Sequence, residues 1–406
     1  MSILPHDGPA AWRRLGLGML ASVVGNAGMW SIVTLMPGVE AEFALDRAAA
    51  SMPYTLTMAG FGLGSVMIGR AVDRLGFAAA LGAAGVLLGL AYMAAWAAPS
   101  AAMLAAAQFF IGLGTACTFA PLIADISRWF NLRRGLAIAL AACGNYLAGA
   151  VWPPILAAIM GAHDWRAACL ALAAASVIAL PLLALAMRGA PPAEPAPATT
   201  GRAAERARTR TDLPPRTLIT LLCIAGFACC MAMAMPQVHI VALCVDYGYG
   251  PAVGAEMLSL MLLGGCASRI LSGFAADRFG GAPTLLVGST LQMLALILFI
   301  PFDALAPLYM VSLTFGLAQG GIVPAYAVIV RERLPAKDAG TQVGIVVTAT
   351  LVGMAAGGWA SGWIFDLTGS YQAAFLHGIG WNWVNMGIVA LLIWRSRPAR
   401  GPAPAA

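Results

Sequence analysis

Charged side chains are scarce in this chain. They make up 10% of its 406 residues, whereas a soluble domain carries about a quarter. Hydrophobic residues make up 61% of the chain, and the mean hydropathy is +0.84. The few charges stand in short clusters between long apolar stretches. A water-soluble core is therefore excluded, and the lipid bilayer is the expected solvent of this protein.

Motifs of nucleotide, metal and redox chemistry are also missing. The sequence has no phosphate-binding loop of the type G-x-x-x-x-G-K-[ST], so ATP is excluded as an energy source. The eight cysteines all lie in apolar stretches, without a C-x-x-C pair or clustered histidines: Cys117, Cys143, Cys169, Cys223, Cys229, Cys230, Cys244 and Cys266. We therefore expect packing residues and no metal site. No nucleophile and base stand at usable spacing, which predicts neither an enzyme nor a cofactor.

Basic residues indicate the topology. The net charge is +6, and if the helices alternate, most of the basic residues fall in loops on one side: Arg13, Arg14, Arg70, Arg74, Arg128, Arg133, Arg134, the stretch 188–216, Arg278, Arg331, Arg333, Lys337, Arg395, Arg397 and Arg400. The loops of the other side hold only Arg47 and Arg166, beside acids such as Glu40 and Asp366. By the positive-inside rule both termini are expected in the cytoplasm. The basicity thus reports topology, and we expect no nucleic-acid partner.

The first apolar run, after Arg13, is too long for the core of a signal peptide and lacks a convincing cleavage site. We expect it to stay as a membrane anchor. A chain rich in Ala and Arg is typical of a GC-rich bacterial genome, so the expected location is a bacterial inner (plasma) membrane.

Spans of about 20 apolar residues predict twelve transmembrane helices, numbered here in chain order: 13–37, 50–69, 77–97, 102–126, 135–160, 166–187, 217–244, 256–275, 283–300, 306–330, 339–363 and 372–394. The segment 188–215 between helices 6 and 7 is rich in Pro and Arg, which predicts a flexible cytoplasmic linker. The expected domains are 1–187, the linker 188–215, and 216–406.

The two halves repeat each other at an offset of 203 to 206 residues. The run from Gly69 to Gly76 after helix 2 matches the run from Gly273 to Gly280 after helix 8. Three anchors agree in order, and the other two pairs are Pro121 with Pro324 and Trp165 with Tyr371. Such internal symmetry predicts an all-α membrane protein made of two pseudo-symmetric six-helix bundles.

The pattern G-x-x-x-D-R-x-G stands at the predicted cytoplasmic ends of helices 2 and 8, with Gly69, Asp73, Arg74 and Gly76 in the first copy and Gly273, Asp277, Arg278 and Gly280 in the second. With this motif the whole chain resembles the major facilitator superfamily, in which the motif is a conformational latch. An aspartate at a helix end can pair with a neighbouring arginine and face an adjacent helix N-terminus. Asp125 could join Asp73 and Arg74 in such a network. An ordinary loop ion pair is the alternative.

Arg269 in helix 8 is the outstanding buried charge. It lies eight residues before Asp277, which is about 12 Å of helix, and the matching residue of the first half is Ser65. An ionisable group at this depth is costly unless it is paired or wet. No acid lies one turn away, since Gly265 and Gly273 flank it. A guanidinium binds a carboxylate through a bidentate fork, so Arg269 is predicted to bind an anionic cargo; pairing with an acid of another helix is the alternative.

Three further runs, 238–250, 268–280 and 129–137, resemble the monocarboxylate transporter group and its bacterial relatives, which include oxalate:formate antiporters. In that group the arginine of helix 8, here Arg269, contacts the substrate carboxylate. The oxalate antiporters use a second basic residue in helix 11, whereas helix 11 has none here. A monoanion is therefore expected in preference to a dicarboxylate. Animal members carry an acid at the position of Gly265 and a lysine in helix 1, both of which are absent, so the resemblance gives no proton-coupling route.

Other polar residues near mid-membrane could complete the site: Asn26 in helix 1, Asn145 and Tyr146 in helix 5, and Gln319 and Tyr326 in helix 10. For each of them a hydrogen bond between helices is an equal alternative. His239 in helix 7 could take part in proton coupling, although a structural hydrogen bond is favoured.

Together these features predict a monomeric secondary transporter that moves a small organic anion by alternating access, driven by proton symport or anion exchange. A multidrug exporter of the same superfamily is the first alternative, and it predicts a buried acid in the cavity. A non-transporting membrane sensor is the second, and it would need an appended soluble domain.

Overall fold

Twelve helices among the described residues are long and apolar enough to cross a membrane. The computed structural model describes residues 6–189, 210–211, 213–334 and 336–397. In chain order the helices are α1 Pro9–Phe43, α2 Arg47–Leu75, α3 Phe77–Trp96, α4 Ala101–Ser127, α5 Arg134–Ala162, α6 Trp165–Ala186, α7 Pro215–Asp246, α8 Pro251–Phe279, α9 Gly281–Leu298, α10 Leu305–Arg333, α11 Ala336–Thr368 and α12 Tyr371–Trp394. Two short strands, β1 Arg210–Thr211 and β2 Ser396–Arg397, pair antiparallel.

The twelve predicted spans coincide with these helices and confirm the all-α membrane fold. Four helices, α1, α2, α8 and α11, extend a turn or more beyond the apolar run that predicted them, and polar side chains close the first turns of α2 and α6. Asp46 accepts a hydrogen bond from the N–H of Ala49 at 2.7 Å at the start of α2, and Asp164 accepts one from Ala167 at 2.7 Å at the start of α6. Such caps lie outside a hydropathy window.

The last glycine of the repeated motif has the same geometry in both halves. Gly76 ends α2 with a φ of +81°, and Gly280 ends α8 with a φ of +88°. Each donates its N–H at 2.9 Å to the carbonyl four residues earlier, at Val72 and Ala276. A residue with a side chain would be strained here, so the motif requires glycine for the turn itself.

Helix packing repeats as well. A Cβ added at Gly112 in α4 would lie 2.0 Å from the carbonyl oxygen of Thr57 in α2, and one at Gly316 in α10 would lie 2.0 Å from that of Met261 in α8. At these two equivalent crossings, α4 packs closely against α2 and α10 packs closely against α8. The chain therefore folds as two pseudo-symmetric bundles, α1–α6 and α7–α12.

Three of the twelve described helices contain a break. α1 breaks at Asn26, α4 passes through a 3-10 turn at Ala116–Thr118, and α10 breaks at Gly320 and Gly321. Proline lacks the N–H that a helix needs, and the breaks in α4 and α10 lie within a turn before Pro121 and Pro324. The unwound turns leave main-chain carbonyls open to side chains.

The two bundles meet along two seams, α5 against α8 and α2 against α11. The seams are equivalent under the internal repeat, since α2 corresponds to α8 and α5 to α11. We call the end of the molecule at Pro9, Leu75 and Trp394 the terminal face, and the end at Phe43, Arg47 and Tyr371 the distal face. Residues 190–209 and 212 of the predicted linker lie outside the described residues, so the division at 188–215 stays a prediction.

Candidate functional site

Arg269 lies in the seam between the bundles and is 8% exposed. Its Nε donates to the carbonyl oxygen of Gly320 in α10 at 3.2 Å, and its Nη1 donates to that of Ala142 in α5 at 2.6 Å. Its Cζ stands 4.1 Å from the ring centre of Tyr146, also in α5. The side chain thus starts from the second bundle and is held in part by the first.

The carbonyl of Gly320 is free for a structural reason. In a regular helix it would accept the N–H of the residue four positions later, but that residue is Pro324, which has no N–H. The break in α10 therefore supplies an acceptor of fixed direction to the guanidinium. Pro324 is also a position of the internal repeat, where it matches Pro121 of the first bundle. In the second bundle it has the further role of leaving the carbonyl of Gly320 free to accept from Arg269.

The charge of Arg269 has no acidic partner. Within the described part of the chain no carboxylate lies within 4 Å of its nitrogens. Carbonyl dipoles and the face of Tyr146 stabilise the cation, but neither neutralises it. Two of the five N–H donors of the guanidinium go to the main-chain carbonyls of Gly320 and Ala142, so capacity for a ligand remains. The alternative of pairing with an acid of another helix is not seen.

A cavity of about 340 Å³ opens beside Arg269 on the terminal side of the seam. Its walls come from α5, α8 and α10, at Gly135, Ala142, Gly273, Gly321 and Pro324 among others. Apart from Arg269, Asp277 is the charged residue of its lining, at the outer end. The cavity is the size of a small-ligand site and connects the buried guanidinium with the terminal face.

Gln319 adds a polar group one residue before Gly320. Its Oε1 accepts a hydrogen bond from Nε2 of Gln237 in α7, while its own Nε2 has no partner among the described residues. Both side chains are buried, at 0% and 2% exposure. A buried donor without an acceptor is costly, so this pair is a candidate contact for an anion. Gln237 was not predicted, because it stands in an apolar run with no motif around it.

Asn145 and Asn26 form contacts inside the first bundle. The carbonyl and Oδ1 of Asn145 accept Nε1 of Trp30 at 3.0 and 3.1 Å. The Nδ2 of Asn26, at the break in α1, lies within 3.2 Å of both oxygens of Ser22 and both oxygens of Thr118. The bonds of Asn26 join the broken turns of α1 and α4, and those of Asn145 join α5 to α1.

Tyr326 and His239 also make contacts within the second bundle. The hydroxyl of Tyr326 donates to Oδ1 of Asn385 at 2.7 Å, and Nδ2 of Asn385 donates to Oγ of Ser289 at 2.8 Å. Nε2 of His239 lies 2.8 Å from the carbonyl of Gly358 in α11. Of the five predicted contact residues besides Arg269, the structure brings Tyr146 to Arg269 and places Gln319 next to Gly320, whose carbonyl anchors the arginine. The other three, and His239 as the predicted proton-coupling residue, contact residues of their own bundles.

The charged residues of the two repeated motifs are exposed at the terminal face. Asp73, Arg74, Asp277 and Arg278 form no ion pair with any described residue. Gly69 and Gly273 have open space around them, with nothing within 4 Å of an added Cβ. The motif fixes the turns at Gly76 and Gly280 in this structure, and its latch role stays a prediction.

Asp125 has a different partner from the one suggested by its sequence position. Its Oδ2 and Oδ1 accept Nε and Nη2 of Arg14 at 2.8 and 3.0 Å, and both side chains are buried. The Nη1 of Arg14 also donates to the carbonyl of Met187. The bidentate geometry satisfies the carboxylate, so Asp125 does not join Asp73 and Arg74 here.

The distal face is closed by charges that the sequence did not bring together. Arg47 in α2 pairs with Asp246 at 3.0 Å and with Glu40 at 3.2 Å. Its Nη1 donates to the hydroxyl of Tyr371, which in turn donates to Asp246 at 2.5 Å. Asp366 accepts the N–H groups of Arg47 and Ala48 at 2.9 and 2.8 Å, which caps α2 with a residue of α11.

We call Arg47, Glu40, Asp246, Asp366 and Tyr371 the distal cluster. Arg47 is 6% exposed, and three members of the cluster belong to the second bundle. One indication of this cluster was present in the sequence: Arg47 and Arg166 were the two basic residues in the loops of that side, which otherwise carry acids. The cluster joins the two bundles at the end opposite the cavity.

The family model described as the Major Facilitator Superfamily matches residues 18–305 and 220–406. Among solved structures, a bacterial homolog of the human lysosomal transporter Spinster, in an inward-facing and occupied conformation, has a TM-score of 0.74 at 13% identity, with 96% of this chain and 98% of that chain covered. A mutant form of the nucleoside transporter NupG has a TM-score of 0.70 at 13% identity, over 93% and 99% of the two chains. At such identities these structures show the fold alone.

Curated relatives are more similar in sequence. Monocarboxylate transporter 13 of Rattus norvegicus is 28% identical over 65% of this chain and 61% of its own length. Monocarboxylate transporter 11 of Homo sapiens is 26% identical over 82% and 69%. The uncharacterized MFS-type transporter YcxA of Bacillus subtilis (strain 168) is 25% identical over 83% and 84%. The chain thus spans less than two thirds of the first of these relatives.

Proposed function

This chain belongs to the Major Facilitator Superfamily of transporters, and we propose that its cargo is a small organic anion, a monocarboxylate, bound at Arg269. The transporter works by alternating access: the anion enters between the two bundles, and the loaded protein opens to the other side of the membrane. Proton symport or exchange for a second anion drives the cycle.

One observation supports this function above the others. Arg269 is a buried cation in the seam between the bundles, beside a cavity, and no carboxylate of the described residues balances it. A buried charge without a partner costs several kcal/mol. A carboxylate that pairs with it recovers that free energy, so cargo with a negative charge is preferred over neutral or cationic cargo.

A single negative charge suits the site better than two. Tyr146 and the carbonyls of Gly320 and Ala142 surround Arg269, and the sequence of α11 from 339 to 363 has no basic residue. A second carboxylate would lack a cation of its own. The names of the curated relatives, monocarboxylate transporters 11 and 13, point to the same chemical class.

The distal cluster gives the alternating-access cycle a gate. Arg47 and Asp246 hold the bundles together at the distal face while the cavity beside Arg269 opens toward the terminal face. We assign the terminal face to the cytoplasm of a bacterial cell on the positive-inside rule. The state described here then releases or accepts cargo on the cytoplasmic side. In this proposal the protein functions as a monomer, with domains 1–187 and 216–406.

Uptake into liposomes tests the role of Arg269. Wild type, Arg269→Ala and Arg269→Lys are reconstituted, and the uptake of labelled mono- and dicarboxylates is measured. We expect wild type to carry at least one monocarboxylate and Arg269→Ala to lose roughly a hundred-fold or more in kcat/KM, the cost of removing one partner of a buried charge pair. Arg269→Lys retains a small part, because an ammonium lacks the planar fork.

The matched control is Ser65→Ala, at the position of the first bundle that corresponds to Arg269. It should transport like wild type, and all variants should elute as folded protein from a sizing column. Equal uptake by Arg269→Ala and wild type would refute the anion site. Drug resistance conferred by the protein without carboxylate uptake would instead favour an exporter. Imposed pH gradients and preloaded anions then separate symport from exchange.

A further inference from the structure

A second cavity, of about 760 Å³, opens on the terminal face of the first bundle, away from Arg269. It lies between α3 and α6 and reaches the ends of α1 and α4. Ala79, Ala83 and Val86 line it and are exposed on α3. The cavity is therefore an open groove on the outside of the bundle, where a membrane-spanning helix meets lipid.

The walls of the groove are apolar and narrow. Pro181, Ala184 and Leu185 of α6 face the α3 residues, and the two helices touch at the base of the groove, where a Cβ added at Gly82 would lie 3.7 Å from Cβ of Ala184. The lining runs along α3 from Gly76 to Val86, which is about 15 Å of helix. That length is about half of the hydrocarbon thickness of a bilayer, so the groove spans the acyl-chain depth of one leaflet.

The mouth of the groove is cationic. Arg14, Arg128 and Arg188 line it against a single acid, Asp125. Arg14 is buried and neutralised by Asp125. Arg128 and Arg188 are exposed, and neither forms an ion pair with a described residue. Two guanidinium groups are thus available where the apolar groove ends at the membrane surface.

We propose that this groove binds an anionic phospholipid, with the phosphate on Arg128 and Arg188 and one acyl chain lying in the surface groove along the exposed faces of α3 and α6. Arginine binds phosphate through its planar fork, and basic pockets between transmembrane helices suit anionic headgroups. The neutral pair of Arg14 and Asp125 forms the floor beneath the headgroup. A soluble anion would use the guanidinium groups and leave the apolar groove empty; a lipid fits both parts.

The second bundle lacks the equivalent site. The internal repeat sets Arg331 against Arg128, but Val328 stands against Asp125 and Trp394 against Arg188. Of these three charged positions of the first bundle, only that of Arg128 therefore has a charged counterpart in the second bundle. This difference shows that the cationic mouth is not a general consequence of the fold, and it supplies a matched control.

Lipid binding to the purified full-length chain tests the site. The protein in detergent is titrated with phosphatidylglycerol, with phosphatidylcholine of the same acyl chains, and with glycerol phosphate as a soluble headgroup. Bound lipid is counted by native mass spectrometry, and the melting temperature is followed in parallel. We expect wild type to retain phosphatidylglycerol in preference to the other two ligands.

Each guanidinium near an anionic headgroup strengthens binding roughly five-fold. The double variant Arg128→Gln/Arg188→Gln, which removes both, should therefore bind phosphatidylglycerol roughly thirty-fold more weakly. Ala83→Phe, which fills the groove and keeps the charges, should also weaken phosphatidylglycerol. The control Arg331→Gln/Arg395→Gln removes two exposed arginines from the same face of the second bundle and should bind like wild type.

Three results would overturn the proposal. If phosphatidylcholine binds as well as phosphatidylglycerol, the two arginines do not select an anionic lipid. If glycerol phosphate binds as tightly as the lipid, the site belongs to a soluble phosphate. If the control loses as much as the double variant, the effect is one of net charge. None of these experiments measures carboxylate uptake, so their outcome is independent of the role proposed for Arg269.

Discussion

The ring of Tyr146 lies against Gly265, one helical turn before Arg269. A Cβ added at Gly265 would stand 3.0 Å from Cε2 and 3.1 Å from Cδ2 of that ring. In the animal monocarboxylate transporters that the sequence resembles, an acid occupies this position. Here the glycine makes room for an aromatic ring, and the ring rather than a carboxylate covers the guanidinium.

Gly265→Ala tests this packing. The added methyl group forces the ring of Tyr146 to move, and overpacking of a tight contact costs about 1–3 kcal/mol. Because the ring is stacked on Arg269, we expect carboxylate uptake to fall about tenfold while the protein still folds. The control is Gly387→Ala in α12, where nothing lies within 4 Å of an added Cβ. If both alanine variants transport like wild type, the ring does not position the arginine.

Pro324→Ala tests the origin of the free carbonyl. Alanine returns an N–H that can bond the carbonyl of Gly320, which then competes with Nε of Arg269. Loss of one hydrogen bond to a charged group costs about 1.5–3 kcal/mol, so KM for the carboxylate should rise roughly ten-fold or more. The melting temperature should not fall, since the helix gains a bond.

Pro121→Ala is the matched control for Pro324→Ala. It alters the equivalent break of α4, where no carbonyl contacts Arg269. A similar rise in KM for both proline variants would show that the effect comes from helix geometry in general. A KM that stays unchanged in Pro324→Ala would show that the carbonyl of Gly320 does not hold the arginine.

Much of the fold was predictable because membrane helices obey a local rule. Apolar length gives the spans, and the repeat around Asp73 and Asp277 gives the two bundles. The breaks near Pro121 and Pro324 were also encoded locally, since proline removes an N–H. Hydropathy gives the length of a span but carries no information on where its backbone unwinds, so the breaks themselves were not predicted.

The site could be predicted only in part, for reasons of distance along the chain. Arg269 stands out because a buried charge is rare, and its position relative to Asp277 is local. The partners of the other charges are remote: Arg14 lies 111 residues from Asp125, and Arg47 lies 199 residues from Asp246. No single-sequence signal joins such pairs. The pairing of Asp125 with Arg14 was therefore not predicted, and the distal cluster was missed.

Asp7 makes a pH-dependent contact just before α1. Its carboxylate accepts the N–H groups of Asn131, Leu132 and Arg133, each at 2.9 Å. Desolvation alone would raise its pKa, but these three donors and the charge of Arg133 outweigh it and lower the pKa below the ordinary value of 3.8. The contact between the start of the chain and the α4–α5 loop therefore depends on the ionised form.

A carboxyl with a lowered pKa stabilises the folded state above its unfolded pKa, and this contribution is lost as the pH falls through the folded value. We expect wild type to melt at a slightly higher temperature than Asp7→Asn near neutral pH. The difference should shrink as the pH falls below 3.8. Melting curves of both proteins from neutral to acid pH check this, and a gap that persists or grows in acid would contradict it.

Arg47→Gln should loosen the distal face. Its partners Asp246 and Tyr371 belong to the second bundle, so the variant breaks a contact between bundles. Arg47 is 6% exposed and Asp246 is 33% exposed, so the loss should cost as much as that of one hydrogen bond to a charged group, about 1.5–3 kcal/mol. This cost raises the population of a distal-open state roughly ten-fold or more. Spin labels on the distal ends of α2 and α11 should report a second, longer distance.

Arg166→Gln is the control at the distal face. Arg166 pairs with Glu42 at 2.5 Å and donates to the carbonyls of Trp96 and Ala98, all within the first bundle. Its loss should leave the distance between α2 and α11 unchanged. Equal widening in both variants would mean that the distal face responds to any lost charge, and no widening in Arg47→Gln would show that the cluster is not the gate.

Cys143 in α5 and Cys266 in α8 face each other across the seam beside Arg269. The Sγ of Cys143 lies 3.8 Å from the carbonyl of Cys266, and the Sγ of Cys266 lies 3.6 Å from the carbonyl of Cys143. Both thiols are free. We expect hydrogen peroxide to join them: the thiols lose two protons and two electrons to form the S–S bond, and the peroxide is reduced to water.

The disulfide is detected with a protease site placed in the segment 188–215 and the other six cysteines replaced. After oxidation and cleavage, the halves should run as one band without reductant and as two with it; Cys143→Ser should always give two. Separation of α5 from α8 is part of the cycle proposed above, so the oxidised protein should lose carboxylate uptake and regain it on reduction. Full uptake by the cross-linked protein would show that the seam stays closed around these residues throughout transport.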